Sequence, residues 1–468
     1  METAYDKTSA KSIEEYARLL VGKTFQDVIN ADSAGFSKLD DGGFSKKGGL
    51  GNLLEERYFH YGSNSDARPD FPEAGVELKT TPYKINSRGE KTAKERLVIT
   101  MIDYMNVINE AFDESHLWLK ARLMLLVYYL YQKEIKNRLD YRIDFVSLFT
   151  PPEEDLEIIK EDYEKIVDKI RRGLAHELSE ADTMYLAACT KSSDSTIRRQ
   201  QPNSDIPAKP RAFSLKSSYM TYVLNNYIIP NSSPESFDKP SKVDAIVADG
   251  EIVSFDKYVY DKIAKYRGQS IEDLCKEFDI SPDTPAKNLG ALIAYRILGV
   301  RSNSAEEFIK AGIKVKTIRV NSNDTITESM SFPAMSFEKI ANEEWEDSDF
   351  YQLLTETKFF FVVFKYDENG ILRLLGCKFW NIPGSDLLEV ESVWKKTKQL
   401  INGGLVIERI NGKYASNFPK ASENPVSHVR PHARNAEDVD VLPDGRTFPK
   451  QCFWLNNSYI LSQIQDLL

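Results

Sequence analysis

The stretch DFPEAGVELKT, Asp70 to Thr80, decides the reading of this 468-residue chain. In an extended strand successive side chains alternate faces, so Glu77 and Lys79 share one face while Val76 and Leu78 point to the other, into a core. Asp70 comes from the preceding turn. Two carboxylates a few ångströms apart suit Mg²⁺, a hard cation that prefers carboxylate, water and phosphate oxygens. A lysine beside them suits a water nucleophile and an anionic transition state. Together they point to phosphodiester hydrolysis. The pattern is weak alone: with Asp, Glu and Lys each at about six per cent of average composition, an Asp, variable gap, Glu-x-Lys arrangement arises by chance roughly once or twice in such a length. A solvated strand carrying surface charges is the competing reading.

The residues just upstream decide between the two. In KGGLGNLLEERYF, Lys47 to Phe59, a glycine-rich turn runs into Leu53, Leu54, Tyr58 and Phe59 at helical spacing, and that helix would project Glu55 toward the strand as a third carboxylate. Here the chain resembles the MutH family, a mismatch-repair nicking endonuclease and its GATC-cutting type II restriction relatives, with the paired signature KGxxGxLxE and DxxxxGVELK. Lys47, Gly48, Gly51, Leu53 and Glu55 match the first half; Asp70, Gly75, Val76, Glu77, Leu78 and Lys79 match the second. Three further blocks fit. In SHLWLKARL, Ser115 to Leu123, Lys120 falls on the family's additional active-site lysine, with Arg122 as a nearby alternative. YLAACTK ends in Lys191. PRAFSLKSSYM, Pro210 to Met220, resembles the segment that carries base and phosphate contacts, through Arg211, Phe213, Leu215 and Lys216. Ser214 departs from the pattern, because the mismatch-repair enzyme has there a tyrosine that helps to sense adenine methylation.

The resemblance implies a restriction-endonuclease-like α/β fold of the PD-(D/E)XK type, a mixed sheet flanked by helices. It implies Asp70, Glu77 and the backbone carbonyl of Leu78 as Mg²⁺ ligands, with Glu55 assisting directly or through a water. Lys79 and Lys120 would position water and stabilise charge. Lys191, Arg211, Ser214 and Lys216 would lie near DNA, where the major groove distinguishes all four base pairs.

A net charge of −10 argues mildly against a general nucleic-acid binder, but the distribution matters more. Six Lys or Arg against two acids lie between Lys79 and Arg96, and six against two between Lys191 and Lys216, patches able to neutralise phosphates. The four cysteines, Cys189, Cys275, Cys377 and Cys452, form no CxxC pair, which suggests neither zinc nor a disulfide framework and fits a reducing cytoplasm. No apolar run approaches membrane-spanning length, and METAYDKTSAKS lacks the apolar core of a signal peptide. Gly22-Lys23-Thr24 imitates the end of a P-loop, but Ala17 occupies its first glycine position, so no nucleotide site is expected.

Proline, serine and charge replace periodic apolar residues from Pro230 to Lys242, as in a linker. Beyond it the first half echoes itself: LVGKTFQDV in YRGQSIEDL, LGNLLEE in LGALIAY, AGVELKT in AGIKVKT and FSLKSSY in FWLNNSY, in the same order and 237 to 246 residues apart. Glycines and apolar positions persist while reactive ones change. Ala294 stands for Glu55, Glu307 for Asp70 and Lys314 for Glu77, an ammonium that repels Mg²⁺. Two tandem domains are therefore expected: a catalytic one over 1–229, a linker over 230–243, and a catalytically inactive, DNA-binding and regulatory one over 244–468. HVRPH, His428 to His432, offers Arg430 for DNA; Pro431 disfavours a helical two-histidine metal site.

Helices are expected at Ser12–Leu20 and around Glu55, and strands at Gly75–Thr81, Leu97–Tyr104, Leu123–Tyr131 and Arg142–Phe149. A helical stripe through Leu156, Ile159, Tyr163, Ile166, Val167 and Ile170 reads as core packing. The resemblance implies a Mg²⁺-dependent type II endonuclease cutting double-stranded DNA 5′ of the G in GATC. A second DNA copy is bound, as a monomer engaging two sites; dimerisation on DNA stays open. A repair nickase and a non-enzymatic DNA-binding regulator are the rivals. The serine at position 214 favours cytosine over adenine methylation as the protecting mark.

Overall fold

The computed structural model describes residues 4–32, 49–61, 68–86, 88–192, 194, 196–229, 247–248, 251–252, 254–281, 284, 286–300, 305–410, 413–435 and 437–468. The expected linker and the Lys47-Gly48 turn lie outside the described residues. The chain divides into two compact units, one of Met1–Lys239 with Glu307–Gly312 and one of Pro240–Glu306 with Ile313–Leu468.

The first unit is built on a mixed sheet in the order Lys91–Ala93, Glu77–Ile85, Met124–Leu130, Ile143–Phe149. Glu77–Ile85 runs parallel to Met124–Leu130, pairing Glu77 with Met124 and Tyr83 with Leu130. The sequence MLLVYYL is buried along nearly its whole length, as a strand covered on both faces must be. Each such side chain contributes roughly 1.5–3 kcal/mol relative to exposure. That burial fixes the register, since a one-residue slip would exchange the faces of Glu77 and Leu78. Gly75 explains why the strand starts at Glu77 and not two residues earlier: its φ of +67° closes a turn in which Phe71 and Val76 exchange backbone hydrogen bonds. The helix Ala10–Arg18 begins at its Ser9 cap, and Leu97–Met101 ends before Asp103 caps the helix Tyr104–Val107.

The helix Glu153–Arg171 carries the expected stripe, with Ile159, Tyr163, Ile166, Val167 and Ile170 buried. It also buries two acids that the stripe did not reveal. Asp162 accepts the backbone N–H groups of Met184, Tyr185 and Leu186 at 2.8, 2.6 and 3.0 Å. Asp155 pairs with Lys310 at 2.6 Å, a contact that ties Glu307–Gly312, which the sequence suggested for the second domain, into this unit. A separate antiparallel sheet, Leu97–Met101, Arg211–Leu215, Leu186–Thr190, holds two of the other family-like blocks, YLAACTK and PRAFSLKSSYM.

The second unit has its own core around Trp394, Phe361 and Phe337. Lys314–Val320 runs parallel to Phe359–Tyr366, which pairs antiparallel with Leu372–Trp380. A second antiparallel sheet orders Met330–Ser331, Gln451–Leu455, Ser427–Pro431. The landmarks of the first unit recur by residue. Gly22 and Gly268 have φ of +88° and +87° and donate to Ile143 and Leu374; Gly75 and Gly312 have +67° and +68°. The four cysteines are free thiols, and among the described residues no helix is long and apolar enough to cross a membrane.

Candidate active site

The parallel strand Glu77–Ile85 sets the centre. Glu77 is almost wholly buried, and its carboxylate is held by two ammonium groups: Lys79 at 2.7 Å on the same strand face, and Lys120 at 3.2 Å to each oxygen. Lys120 sits in the last turn of the helix His116–Ala121, which Ser115 starts by accepting the Trp118 N–H. Arg122, the alternative in the same block, is exposed and lies against Gly75 instead. Lys79 also reaches the Ile99 carbonyl at 3.4 Å.

Asp70 enters from the turn before the strand, and its Oδ2 accepts the Leu78 N–H at 2.8 Å. Glu77 N–H points the other way, to the Leu123 carbonyl. Because the N–H and C=O of one strand residue project from the same edge, the Leu78 carbonyl lies on the Asp70 side, away from the sheet. That carbonyl is the backbone oxygen the sequence singled out.

Glu55 comes from the helix Gly49–Leu53, which continues as a π-helical turn over Leu54–Tyr58. The wider turn is closed by Phe59 N–H donating to the Leu54 carbonyl at 2.8 Å, and such turns recur at functional sites. Burial, then the charge of Asp70, pushes the Glu55 carboxyl up to about 7, with Lys79 opposing and Glu77 adding to the rise. Burial, then Glu77, likewise raises Asp70, against the Leu78 hydrogen bond and the two lysines.

These acids are short of positive charge, which is the electrostatic condition for holding a cation. Among the described residues no three His, Cys, Asp or Glu groups enclose an ion by themselves. A Mg²⁺ site of this type does not need them to, because carbonyl, water and phosphate oxygens complete the shell. Asp70, Glu77 and the Leu78 carbonyl fit a hard divalent ion, with Glu55 within electrostatic reach.

One neighbour escaped the sequence reading. Tyr61 folds back so that its N–H donates to the Glu55 carbonyl at 3.0 Å, and its buried hydroxyl has no hydrogen-bond partner among the described residues. Burial first, then Asp70, Glu55 and Glu77, raise its pKa, which places the phenol beside the acids. No motif marks it, since it lies in the irregular chain after the π turn.

The expected DNA contacts divide into two groups. Lys191 is exposed at the end of Leu186–Thr190, close in sequence to the exposed Arg198 and Arg199. Ser214 and Lys216 are both buried: the Ser214 hydroxyl donates to the Ala187 carbonyl at 3.4 Å, and the Lys216 ammonium to the Thr183 carbonyl at 2.6 Å. The strand Arg211–Leu215 lies between two partner strands and is covered on both faces, so Ala212 to Leu215 are all buried whichever way each side chain points. Arg211 is half-buried and spends its guanidinium on the carbonyls of Ala188 and Leu178. In the second unit Arg430 is exposed and stacks 4.4 Å over the Trp454 ring. His428 and His432 have separate partners, Asn456 and Cys452.

The model of the family described as the DNA mismatch repair enzyme MutH matches residues 59–162. The type II restriction enzyme Sau3AI of Staphylococcus aureus is 36% identical across 98% of this chain and 99% of its own length. The DNA mismatch repair proteins MutH of Shewanella baltica strain OS185 and Vibrio parahaemolyticus are similar over less than half of this chain. They are 28% identical over 38% of this chain and 79% of their counterpart, and 24% over 47% and 95%.

Proposed function

Because the chain belongs to the family of the type II restriction enzyme Sau3AI, MutH-like site-specific deoxyribonucleases, we propose that it cuts both strands of DNA 5′ of the G in GATC with Mg²⁺. The observation that carries this reading is Glu77, buried between Lys79 and Lys120 and next to the Asp70–Leu78 contact. A divalent ion held by Asp70, Glu77 and the Leu78 carbonyl would supply Lewis-acid polarisation of the scissile phosphate. Glu55 adjusts the charge around that group. Lys79, fixed by Glu77 and the Ile99 carbonyl, orients a water for in-line attack. Lys120 sets a second positive charge where negative charge grows on the phosphate, in a site dry enough to strengthen it.

The second unit is read as a tandem relative that has lost catalysis and binds a further DNA copy to regulate cutting, within 244–468 after a linker over 230–243. Its matching parallel strand pair and the recurring positive-φ glycines support this. Lys191 and Arg430 are the exposed charges best disposed toward phosphates, with Arg211 nearby. A monomer acting on two sites in the cytoplasm, with cytosine methylation protecting the host, completes the proposal.

Incubating the protein with Mg²⁺ and unmethylated plasmid, then sequencing the ends, tests it directly. Linear fragments ending at GATC are expected. Nicked circles alone would instead support the repair activity, and intact but bound plasmid a regulator.

A further inference from the structure

The second unit contains a cleft of about 790 Å³, bordered by the helix Ala286–Ile297 and the first residues of the strand Lys314–Val320. Its place in the chain corresponds to the first unit's active site, but its chemistry is inverted. Lys314 stands where Glu77 does and Lys316 where Lys79 does, through the AGVELKT and AGIKVKT echo. Ser115 and Ser348 cap equivalent short helices by accepting the Trp118 and Tyr351 N–H groups, and counting from them puts Leu353 where Lys120 stands. Ala294, the counterpart of Glu55, is buried.

The resulting lining holds Lys314, Lys316, Asn288, Thr284, Ser331 and Tyr295 among apolar groups, and no Asp or Glu. Neither lysine pairs with a carboxylate among the described residues. Lys316 is half-buried, and among the described residues its ammonium makes one hydrogen bond, a long one of 3.4 Å to the Ser331 carbonyl. Burial, then the charge of Lys314, holds its pKa below the ordinary lysine value, as befits a cation lacking a counter-ion. Two ammonium groups repel a divalent ion, whereas an anion that brings its own charge relieves both. Lysine serves phosphate as a point charge, and a partly dry cleft strengthens the attraction.

We propose that this cleft binds a DNA phosphodiester directly through Lys316 and Lys314, without any divalent ion. The loss of the carboxylates is then a conversion, from a site that cuts a phosphodiester to one that holds it. This rests on the reading that the second unit takes a further DNA copy, and the test separates the two.

The full chain carrying Glu77→Ala, which cannot cut, is mixed in EDTA with a short GATC duplex. Duplexes bound per chain are counted by calorimetry, and lysines are acetylated and read by mass spectrometry. Lys314 and Lys316 should be protected several-fold, and Lys316→Met should weaken one of two bound duplexes about tenfold. The slope of log affinity against log salt should fall by about one for the lost contact. Two duplexes per chain with both lysines labelled as fast as in free protein would overturn the cleft while leaving the second copy in place. One duplex with both lysines protected would uphold the cleft and remove the second-copy reading. One duplex with neither protected would sink both. Equal protection by millimolar inorganic phosphate, in place of duplex, would make it a small-phosphate site and overturn the DNA assignment.

Discussion

At the scale of single residues, the site divides its charges unevenly: Glu77 is neutralised by lysines, whereas Glu55 and Asp70 are left short of positive charge. Glu77 is shared by two lysines, so the three groups act as a unit and their replacements should not be additive. Glu77→Ala should abolish cutting while DNA binding survives, because it removes the ligand and frees both ammonium groups for phosphate. Lys120→Met should lower kcat by about 10²–10³-fold, the usual effect of removing one charge aimed at the transition state. Single-turnover cleavage measures both, and undiminished cutting by either variant would refute the assignment. Tyr61 makes a sharper case. Its buried hydroxyl has no hydrogen-bond partner among the described residues, and such a group costs about 1–3 kcal/mol, so Tyr61→Phe should leave thermal stability equal or higher. If the hydroxyl orients the carboxylates toward Mg²⁺, the concentration for half-maximal cutting should rise about tenfold in the same variant. Lower stability with an unchanged Mg²⁺ requirement would make Tyr61 a packing residue.

At the scale of elements, the sequence disclosed what is periodic or glycine-marked and hid what depends on exceptions. The strands at Glu77, Met124 and Ile143 and the helix at Glu153 were legible because burial imposes their periods, and Gly75 marked the turn that sets Asp70 beside Leu78. The π turn under Glu55 was not legible, since one extra residue per turn leaves the apolar spacing nearly unchanged. Nor was the burial of Ser214 and Lys216, which follows from a sheet whose strands come from distant parts of the chain. The strand Ser427–Pro431 shows a similar effect. His428 is buried, its ring held by Asn456 at 2.5 Å and stacked toward Trp454, with the Arg430 charge nearby. Burial first, and then Arg430, depresses its pKa below the ordinary 6.5 while Asn456 opposes the change. Above pH 6.5 both folded and unfolded forms are neutral, and the histidine adds nothing to the pH dependence. As pH falls through 6.5 the unfolded chain takes the proton first, so stability drops, by up to about 1.4 kcal/mol per pH unit, until the folded pKa is reached. His428→Gln should flatten the urea midpoint between pH 7 and pH 5; an unchanged slope would place the acid sensitivity elsewhere.

At the scale of the whole molecule, the first compact unit is not contiguous in sequence, and one buried ion pair shows what that implies. Asp155 and Lys310 are each about 2% exposed and 2.6 Å apart. The Tyr219 hydroxyl donates to the other Asp155 oxygen at 3.0 Å, and the ammonium lies 4.6 Å from the centre of the Tyr222 ring. The Ser218 hydroxyl fixes the backbone beside it by donating to the Lys310 carbonyl at 2.8 Å. Two buried charges are expensive together and far more so apart, since breaking such a pair on one side typically costs about 3–5 kcal/mol. Lys310→Met should therefore destabilise the full chain by about that amount in urea unfolding, although residue 310 lies far in sequence from every catalytic group. Adding Asp155→Asn removes the stranded charge yet keeps an acceptor for Tyr219, so the double variant should recover the greater part. The same logic applies to truncation. A fragment ending at Lys239 loses Lys310 along with the second unit, and any drop in its cutting mixes lost stability with lost regulation. Asp155→Asn in that fragment separates them: restored stability with cutting still altered would assign the remainder to the second unit. Full recovery of cutting would mean that truncation had acted through Asp155 alone.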